Sequence, residues 1–410
     1  RIDMVADSAG ALEMPAESVT HYKQLVSEAM ALFGARHYRN YHFLLTLSDA
    51  VLSNGLEHHE SSDNRVPERT LIDEVSRGRR VTLLPHEYTH SWNGKYRRPA
   101  GLATPDYQQP MQGELLWVYE GMTQYIGNLL LTSRSGLRTP EQTRDYLAYV
   151  AANLDNNRPG RNWRPLADTA TAAQFLYNAP TEGQAARRGV DFYDEGLLVW
   201  LEADTIIRRQ SGGRRSLDDF CRSFHGGQSG APAVRPYTFD DVVAAFNEVV
   251  PYDWRGFFTA RVFNINARPP LGGVEASGWK LVYTDTPNWY SRAGEQVSNI
   301  TDASFSIGLL LESDGAVRDI IPGLAAAEEG IRPGMKIVAV NGRKLSTQAL
   351  HNAIKSTKGS PATAPLELLV ERAGTYTTYQ LKYHEGERYP HLVRDETRAD
   401  LLGQIIKPLR

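Results

Sequence analysis

Apolar residues recur at helical spacing over five stretches of the chain. The first stretch follows Pro15 and ends at Gly34, and glycine is the residue that most often ends a helix. Four further amphipathic stretches lie at about residues 140–153, 195–210, 216–224 and 239–249. Helices with one apolar face must pack against other elements, so this pattern predicts a mainly helical domain.

Two shorter runs have the composition of β-strands. Tyr41–Leu47 is rich in aromatic and aliphatic residues, and Gly55–His58 forms a second, shorter run. We predict that both belong to a small sheet that lines a cleft. Gly55–His58 would be its edge strand, where an extended peptide could pair.

The pattern changes from long helices to short strands and turns after about residue 268. Arg268–Gly273 contains two prolines and two glycines and marks a boundary. At the other end, Arg1–Ala6 shows neither an initiator methionine nor a signal-peptide pattern and resembles the last strand of a preceding unit. The predicted segments are 1–15, the end of an upstream β-rich domain; 16–267, the helical domain; 268–385, a β-rich domain; and 386–410, a C-terminal tail.

The composition is typical of a soluble protein with more than one domain. The chain has 410 residues, a formal net charge of -3 and an isoelectric point near 6.5, so it lacks the basic surplus of nucleic-acid-binding proteins. No apolar run approaches the ~20 residues that cross a bilayer. The single cysteine, Cys221, excludes an intrachain disulfide and leaves the compartment open; we favour a periplasmic or secreted location over a cytoplasmic one.

The segment His86-Glu87-Tyr88-Thr89-His90 carries the first indication of chemistry. Histidines four residues apart point from one face of a helix, as two zinc ligands do, and a glutamate between them can act as a general base. The apolar residues Val81–Leu84 and Trp92 favour a buried helix here. The alternative is a pair of core histidines beside a surface glutamate. The motif predicts metal-assisted hydrolysis of an amide.

The next predicted helix offers a third ligand. Residues 114–125 are strongly apolar, yet Glu120 lies among them. A buried carboxylate without a partner would cost several kcal/mol, so Glu120 needs a cation. A zinc ion would satisfy it and would complete a His-His-Glu site with His86 and His90. The alternative is an ion pair from Glu120 to Lys95, Arg97 or Arg98.

These two helices resemble those of the gluzincin metallopeptidases. The patterns H-E-x-x-H-x-W-N at 86–93 and W-x-x-E-G-x-T at 117–123 are similar to the glycyl aminopeptidase family within that group. Gly55–Ser61 is similar to the family's G-L-E-H strand, and Phe192–Leu198 to its tyrosine segment. The resemblance covers about residues 16–385. It implies an α+β multidomain fold in which a mainly helical, thermolysin-like catalytic domain with a small sheet precedes a PDZ-like, β-rich domain.

The resemblance also implies roles for the metal-site residues. His86, His90 and Glu120 would bind one zinc ion per chain, and Glu87 would be the general base. Some gluzincins carry an aspartate four residues after the glutamate ligand to orient a histidine. Gln124 stands at that position in this chain. We therefore expect a neighbour such as the Thr123 hydroxyl, or a backbone carbonyl, to orient the histidine instead.

Two further residues would bind the substrate. Tyr193 would donate a hydrogen bond to an oxygen that becomes anionic only in the transition state. Glu57, with Gly55 beside it, would pair with the free α-amino group of a peptide, which would make the enzyme an aminopeptidase. The alternatives are a core aromatic for Tyr193 and a solvated strand end for Glu57.

The C-terminal part of the chain resembles a bacterial-type PDZ domain. In such a fold the amides of Ile307, Gly308 and Leu309 would bind the C-terminal carboxylate of a peptide ligand, and the adjoining strand and helix would form its groove. The alternative is a PDZ fold that serves only as a packed lid or spacer. The resemblance rests on Ile307–Leu311, Val317–Ala327 and Gly330–Gly342.

Two classes of function follow. The first is a zinc aminopeptidase that acts on peptides with free N-termini and, as the resemblance implies, removes small residues such as glycine or alanine; an endopeptidase is its nearest alternative. The second is an inactive peptidase fold that presents a PDZ domain. We favour the enzyme, because an inactive relative would usually have lost a ligand, the base or the tyrosine, and all five positions hold the required residue types.

Overall fold

The computed structural model describes residues 1–359 and 365–410. Helices hold 44% of the residues and strands 18%, so the fold mixes both, as predicted. Within the described ranges, no helix combines the length and the apolar character that a bilayer crossing requires.

The described α-helices are α1 Ala16–Phe33, α2 Glu74–Arg80, α3 Leu83–Thr89, α4 Leu116–Thr123, α5 Thr132–Arg134, α6 Pro140–Asn156, α7 Leu166–Thr171, α8 Ala173–Tyr177, α9 Gln184–Arg187, α10 Asp194–Gln210, α11 Leu217–Phe224, α12 Phe239–Val249, α13 Trp254–Phe258, α14 Gly272–Ala276, α15 Trp289–Ser298, α16 Ala325–Glu328, α17 Thr347–Ser356 and α18 Leu401–Ile405. Wider, π-helical turns continue two of them, over Gln124–Leu131 and Thr259–Phe263.

The described strands are β1 Ile2–Ala6, β2 His42–Leu47, β3 Asn54–Glu57, β4 Ser61–Val66, β5 Arg97–Pro99, β6 Arg235–Tyr237, β7 Trp279–Thr284, β8 Ile300–Ala303, β9 Leu309–Glu312, β10 Val317–Ile320, β11 Lys336–Val340, β12 Arg343–Lys344, β13 Leu366–Arg372, β14 Thr375–Leu381 and β15 Tyr389–Arg394.

The first sheet has the strand order β1-β2-β4-β3. β1 and β4 run parallel to β2, whereas β3 is antiparallel to β4. The run Gly55–His58 therefore supplies an edge strand, as its sequence predicted. Within the segment Arg1–Ala6, residues Ile2–Ala6 form the strand β1, which pairs with β2 in this same sheet.

The predicted amphipathic helices are all present. α1 starts directly after Pro15 and ends at Gly34, whose left-handed backbone has a φ of 71°. Three of the later helices begin at a residue whose hydroxyl accepts an amide hydrogen bond from the first turn: Thr139 before α6, Ser216 before α11 and Thr238 before α12. These caps explain why the helices start where the pattern of apolar residues begins.

α10 lies at the centre of the larger hydrophobic core. Every residue from Glu195 to Thr205 is buried. The helix packs against α4, where Trp200 stacks on Trp117 with ring centroids 5.4 Å apart. Burial on all sides makes α10 a rigid support for the elements around it.

Two hydrophobic cores divide the chain. The smaller core lies between Ala303 and Tyr383 and belongs to the β-rich module. The larger core includes Val274, Tyr290 and Ile405 in addition to the helical domain. Neither the predicted boundary near residue 268 nor the predicted tail at 386–410 coincides with the change of core. The reason is a long-range contact, because β7 pairs with β15 and both pack onto the helical domain.

Candidate active site

α3 holds the motif His86–His90 against the helical core. His90 directly follows the helix and keeps its helical backbone, so both imidazoles leave from one face. The π-helical turns after α4 pass very close to α3: a Cβ placed on Gly127 would come within 2.8 Å of the His86 Cα. A glycine at this position therefore lets the helix of the third ligand approach the histidines.

The three predicted ligands converge. His86 Nε2 lies 3.1 Å from His90 Nε2 and 3.2 Å from Glu120 Oε2, and His90 Nε2 lies 3.3 Å from that same oxygen. Ligand atoms around a tetrahedral zinc ion, at bonds of about 2.0–2.1 Å, would be separated by about 3.3 Å. The donor set and its spacing thus fit zinc, and within the described residues this is the cluster of three such groups able to hold a metal ion.

The alternative partners of Glu120 are engaged elsewhere. Lys95 lies 3.3 Å from Glu57, the Arg97 guanidinium stacks on Phe224, and Arg98 donates to a backbone carbonyl. Among the basic groups that the structure describes, only His86 and His90 form ion pairs with Glu120. Burial by itself would raise the pKa of Glu120, but these two histidines lower it to about 2.

The pKa of His90 shifts in the opposite direction to that of Glu120. Burial lowers the pKa of this imidazole, but the Glu120 carboxylate outweighs the burial and raises the pKa to about 9. Glu120 and His90 therefore attract each other strongly across the cluster. Such mutual attraction is what keeps a buried set of ligands together.

A backbone carbonyl orients His90. The Nδ1 atom lies 2.9 Å from the Asn93 carbonyl oxygen, and a carbonyl only accepts, so Nδ1 carries a proton. In the neutral form that can bind a metal ion, Nε2 is therefore the nitrogen that faces the cluster. The Thr123 hydroxyl is more distant, at 3.4 Å. Of the two expected substitutes for the missing aspartate, the carbonyl makes the closer contact.

Asn93 also joins the two ligand helices, a role that the sequence did not indicate. Its side-chain amide donates to the carbonyls of Val118 and Tyr119 at 3.0 and 2.9 Å and to the Thr123 hydroxyl at 3.0 Å. One residue thus holds α4 while its own carbonyl holds His90. In the sequence, only the pair Trp92-Asn93 at the end of the first motif could have indicated this role of Asn93.

Glu87 lies buried against β3. A Cβ on Gly55 would fall 1.9 Å from the Glu87 Oε1 atom, so this carboxylate occupies the space that a side chain at position 55 would need. Burial raises the pKa of Glu87, and His86 and His90 offset the rise only in part. A general base works best when its pKa is close to the working pH, so this shift suits the predicted role.

Glu57 lies at the end of β3 and faces the metal cluster. It is mostly buried, accepts a hydrogen bond from the Tyr119 hydroxyl, and lies 3.3 Å from Lys95 Nζ. Burial would raise its pKa, but His90, Lys95 and Tyr119 together lower it, so the carboxylate is ionised. The side chain is therefore not the solvated strand end that was its alternative. Lys95 and Tyr119 as its partners were not predicted.

Tyr193 lines the same cleft. Its ring centroid lies 6.0 Å from that of His86, and its hydroxyl is hydrogen-bonded to that of Tyr177. No sequence motif indicated that Tyr177 would lie here. Burial and then the Glu120 charge raise the pKa of Tyr193, which keeps the phenol able to donate. His86, Glu87, Gly55 and Tyr193 border one opening of about 430 Å³.

The predicted PDZ loop is part of the smaller core. The amides of Ile307 and Gly308 donate to the Ala303 carbonyl, at 3.0 and 3.1 Å, and Leu309 begins β9. These amides thus already have an acceptor within the chain. Binding of a peptide carboxylate by this loop stays a prediction.

Comparison with known families agrees with both halves of this description. Residues 79–199 match the model of the M61 glycyl aminopeptidase family, and residues 292–371 match that of the PDZ domain. This chain contains an M61 peptidase domain and a PDZ domain. The M61 match includes His86, Glu87, His90, Glu120 and Tyr193, and it supports a peptidase function for the chain.

One solved structure shares the fold. An aminopeptidase N family protein from Idiomarina loihiensis superposes with a TM-score of 0.74 at 19% identity, over 99% of this chain and 68% of its own. A mutant M1 zinc metallopeptidase from Deinococcus radiodurans reaches a TM-score of 0.39 at 17% identity, over 65% of this chain and 49% of its own. No curated protein matches the sequence.

Proposed function

We propose that the M61 domain is a zinc-dependent aminopeptidase that releases small N-terminal residues, glycine or alanine, from peptides. One observation carries this proposal. Three ligand atoms lie 3.1–3.3 Å apart, the Glu87 carboxylate borders the same opening as His86, and the Glu57 carboxylate lies within the electrostatic influence of His90. The preference for small residues is supported by the family match alone.

The chain's own residues would divide the chemistry. A zinc ion, when bound by His86, His90 and Glu120, would supply the positive charge that acidifies a water and polarises the substrate carbonyl. Glu87 takes the proton of the attacking water and returns a proton to the leaving amine. Tyr193 donates its hydroxyl proton in a hydrogen bond to the carbonyl oxygen as negative charge develops there.

Glu57 would restrict cleavage to the N-terminal end of a peptide. A peptide paired antiparallel with the edge strand β3 would bring its N-terminus to Glu57 and its next residues past Gly55 and Glu87. The ionised carboxylate would then bind the substrate ammonium beside Lys95, whose positive charge it already balances. An acetylated N-terminus has no charge to pair and adds bulk at this end.

The proposal is tested by comparing alanine p-nitroanilide with its N-acetylated form, using protein whose zinc content is measured. We expect about one zinc per chain, loss of hydrolysis on chelation, recovery on adding zinc, and no hydrolysis of the acetylated substrate. Folded protein without zinc would contradict the metal assignment. Cleavage inside an N-acetylated peptide would favour the endopeptidase alternative, and zinc-loaded protein without any hydrolysis would favour the inactive scaffold.

Replacing Glu57 by Gln tests the amine site. The uncompensated Lys95 would then repel the ammonium, so KM for the free substrate should rise about 30-fold or more. Glu60→Gln is the matched control, because Glu60 belongs to the same segment but pairs with Arg39. Equal KM values for the two variants would remove Glu57 from the substrate site.

A further inference from the structure

The edge of the PDZ sheet at which a peptide would pair is already covered by the chain itself. β8 lies antiparallel along β9, with Ile300 opposite Glu312 and Ala303 opposite Leu309. β10 pairs along the other edge of β9. In the part of the chain that the structure describes, both edges of β9 therefore have a partner strand.

The turn that follows β8 closes around its last carbonyl. Ala303 O accepts hydrogen bonds from the amides of Ser306, Ile307 and Gly308 at 3.2, 3.0 and 3.1 Å. A nest of successive amides around one oxygen is the arrangement with which a PDZ loop captures a peptide's C-terminal carboxylate. Here the acceptor is an internal peptide carbonyl.

The side chains of β8 also behave like those of a bound peptide. Thr301 and Ala303 are buried, at 5% and 2% exposure, whereas the alternating residues Ile300 and Asp302 are only partly covered. The Thr301 hydroxyl lies 2.6 Å from the hydroxyl of Thr347, the first residue of α17, and Ala303 packs into the PDZ core. Alternate residues thus enter the domain, as strand geometry requires.

We infer that Ile300–Ala303 is the resident ligand of the PDZ groove. The strand supplies the main-chain pairing to β9, Ala303 takes the place of the last residue of a bound peptide, and Thr301, two residues earlier, contacts the groove helix α17. The inference concerns a different part of the molecule from the peptidase cleft and does not depend on the activity proposed for it.

Two consequences follow for partners of this domain. A peptide with a free C-terminus competes with a strand that is covalently attached, so it faces an effective concentration on the order of millimolar or more. The occupied loop is also tied to the helical domain, because Asn157 Nδ2 donates to the Ser304 hydroxyl at 2.9 Å and Asn156 Nδ2 to its carbonyl at 3.2 Å. The PDZ domain therefore packs against the helical domain and does not serve as an open receptor for C-termini.

Amide hydrogen exchange on the unmodified full chain tests the occupancy directly. If β8 holds the groove, the amides of Ile307 and Gly308 should exchange within about tenfold of the rate of Leu368 and Val370 in the central strand β13. Exchange of Ile307 and Gly308 at the rate of an unprotected loop would mean that the groove is open, and the inference would be wrong.

A binding experiment provides a second, independent test. The probe is a fluorescein-labelled peptide, Ser-Asn-Ile-Thr-Asp-Ala with a free C-terminus, which copies residues 298–303. The unmodified chain should not bind it, whereas Ala303→Arg, which is too large for the buried position, should release β8 and bind it. The matched control is Ile300→Arg, on the outward side of the strand, which should not bind.

Binding of the probe by the unmodified chain as tightly as by Ala303→Arg would overturn the inference. Exchange protection of Leu368 and Val370 in the Ala303→Arg protein establishes that its PDZ core has folded. If that variant does not fold, the exchange rates of Ile307 and Gly308 in the unmodified chain decide the question alone.

Discussion

In the peptidase cleft, the ligand atoms of His86, His90 and Glu120 face one another across about 3 Å, while in the PDZ domain the amides of Ile307 and Gly308 surround a carbonyl of the same chain. Both regions gather polar groups of one kind at one point. In the cleft the groups are all potential metal ligands, whereas in the PDZ groove the amide donors are already hydrogen-bonded to an acceptor of the same chain.

A functional motif in the sequence does not always form an open functional site in the fold. Buried polar groups need partners, so a cluster whose members can satisfy one another only through a cation indicates a ligand, and a cluster satisfied by its own chain does not. The metal-site motif and the PDZ loop can both be recognised in the sequence. The partner of each polar atom distinguishes them, and the following predictions break either arrangement.

The largest effect is expected from Glu87→Gln. The amide keeps the shape of the side chain but cannot take a proton, so hydrolysis should fall by about 1000-fold or more while zinc content stays the same. The measurements are kcat on alanine p-nitroanilide and zinc per chain. Full activity of the variant would remove Glu87 from the role of base, and loss of zinc would mean that the variant had disturbed the ligands.

Tyr193→Phe should have the next largest effect. A hydrogen bond that strengthens only in the transition state contributes to kcat and not to KM, so kcat should fall about 100-fold with little change in KM. The neighbouring Tyr177→Phe deletes only a contact to the Tyr193 hydroxyl, and its effect should stay within about tenfold. Similar losses in both variants would mean that the pair acts through packing.

Much of the cleft could be predicted from local sequence. The spacing of His86 and His90 is fixed by helix geometry, and the need of a buried carboxylate for a cation singled out Glu120. The helices on either side followed from apolar periodicity and from end signals such as Gly34. These inferences succeed because each depends on residues close together in the chain.

The remainder depends on contacts between distant segments. Nothing near Lys95 indicates that it balances Glu57, and nothing near Gly55 indicates that Glu87 fills its empty space. In the same way, the pairing of β7 with β15 returns the last part of the chain to the larger core. Such partners are chosen by tertiary packing, which a single sequence does not encode in any local pattern.

Gly55→Ala turns one of these contacts into a test. The added methyl group would occupy the position of the Glu87 carboxylate and move the base, and a shift of about 1 Å in a catalytic group can cost about 100-fold in rate. We expect a loss of that order in kcat, with zinc retained. Gly10→Ala adds the same methyl group in open space and should have no effect. Wild-type kcat in Gly55→Ala would mean that Glu87 can work from another position.

The smallest effect concerns His351, a histidine whose partners are supplied by the chain. From α17 it lies 2.9 Å from Glu295, at α15, and 3.1 Å from Glu387, before β15, with the Tyr389 hydroxyl at 3.4 Å. Burial lowers the pKa of His351, but the hydrogen bonds to the two carboxylates outweigh it and raise the pKa to about 10. The charged imidazole thus ties the PDZ helix to elements that pack with the larger core.

The sign of the pH dependence follows from this shift. The pKa of His351 in the folded chain is above its ordinary value of 6.5, so its contribution to stability is fully present below pH 6.5 and is lost as the pH rises towards 10. We expect the free energy of unfolding of the transition that contains the PDZ domain to fall by about 2 kcal/mol between pH 6.5 and 10 through this residue. His351→Gln should remove that part of the pH dependence, whereas His384→Gln, in the same domain, should keep it. Identical pH profiles for wild type and His351→Gln would show that the two carboxylates do not hold a charged histidine.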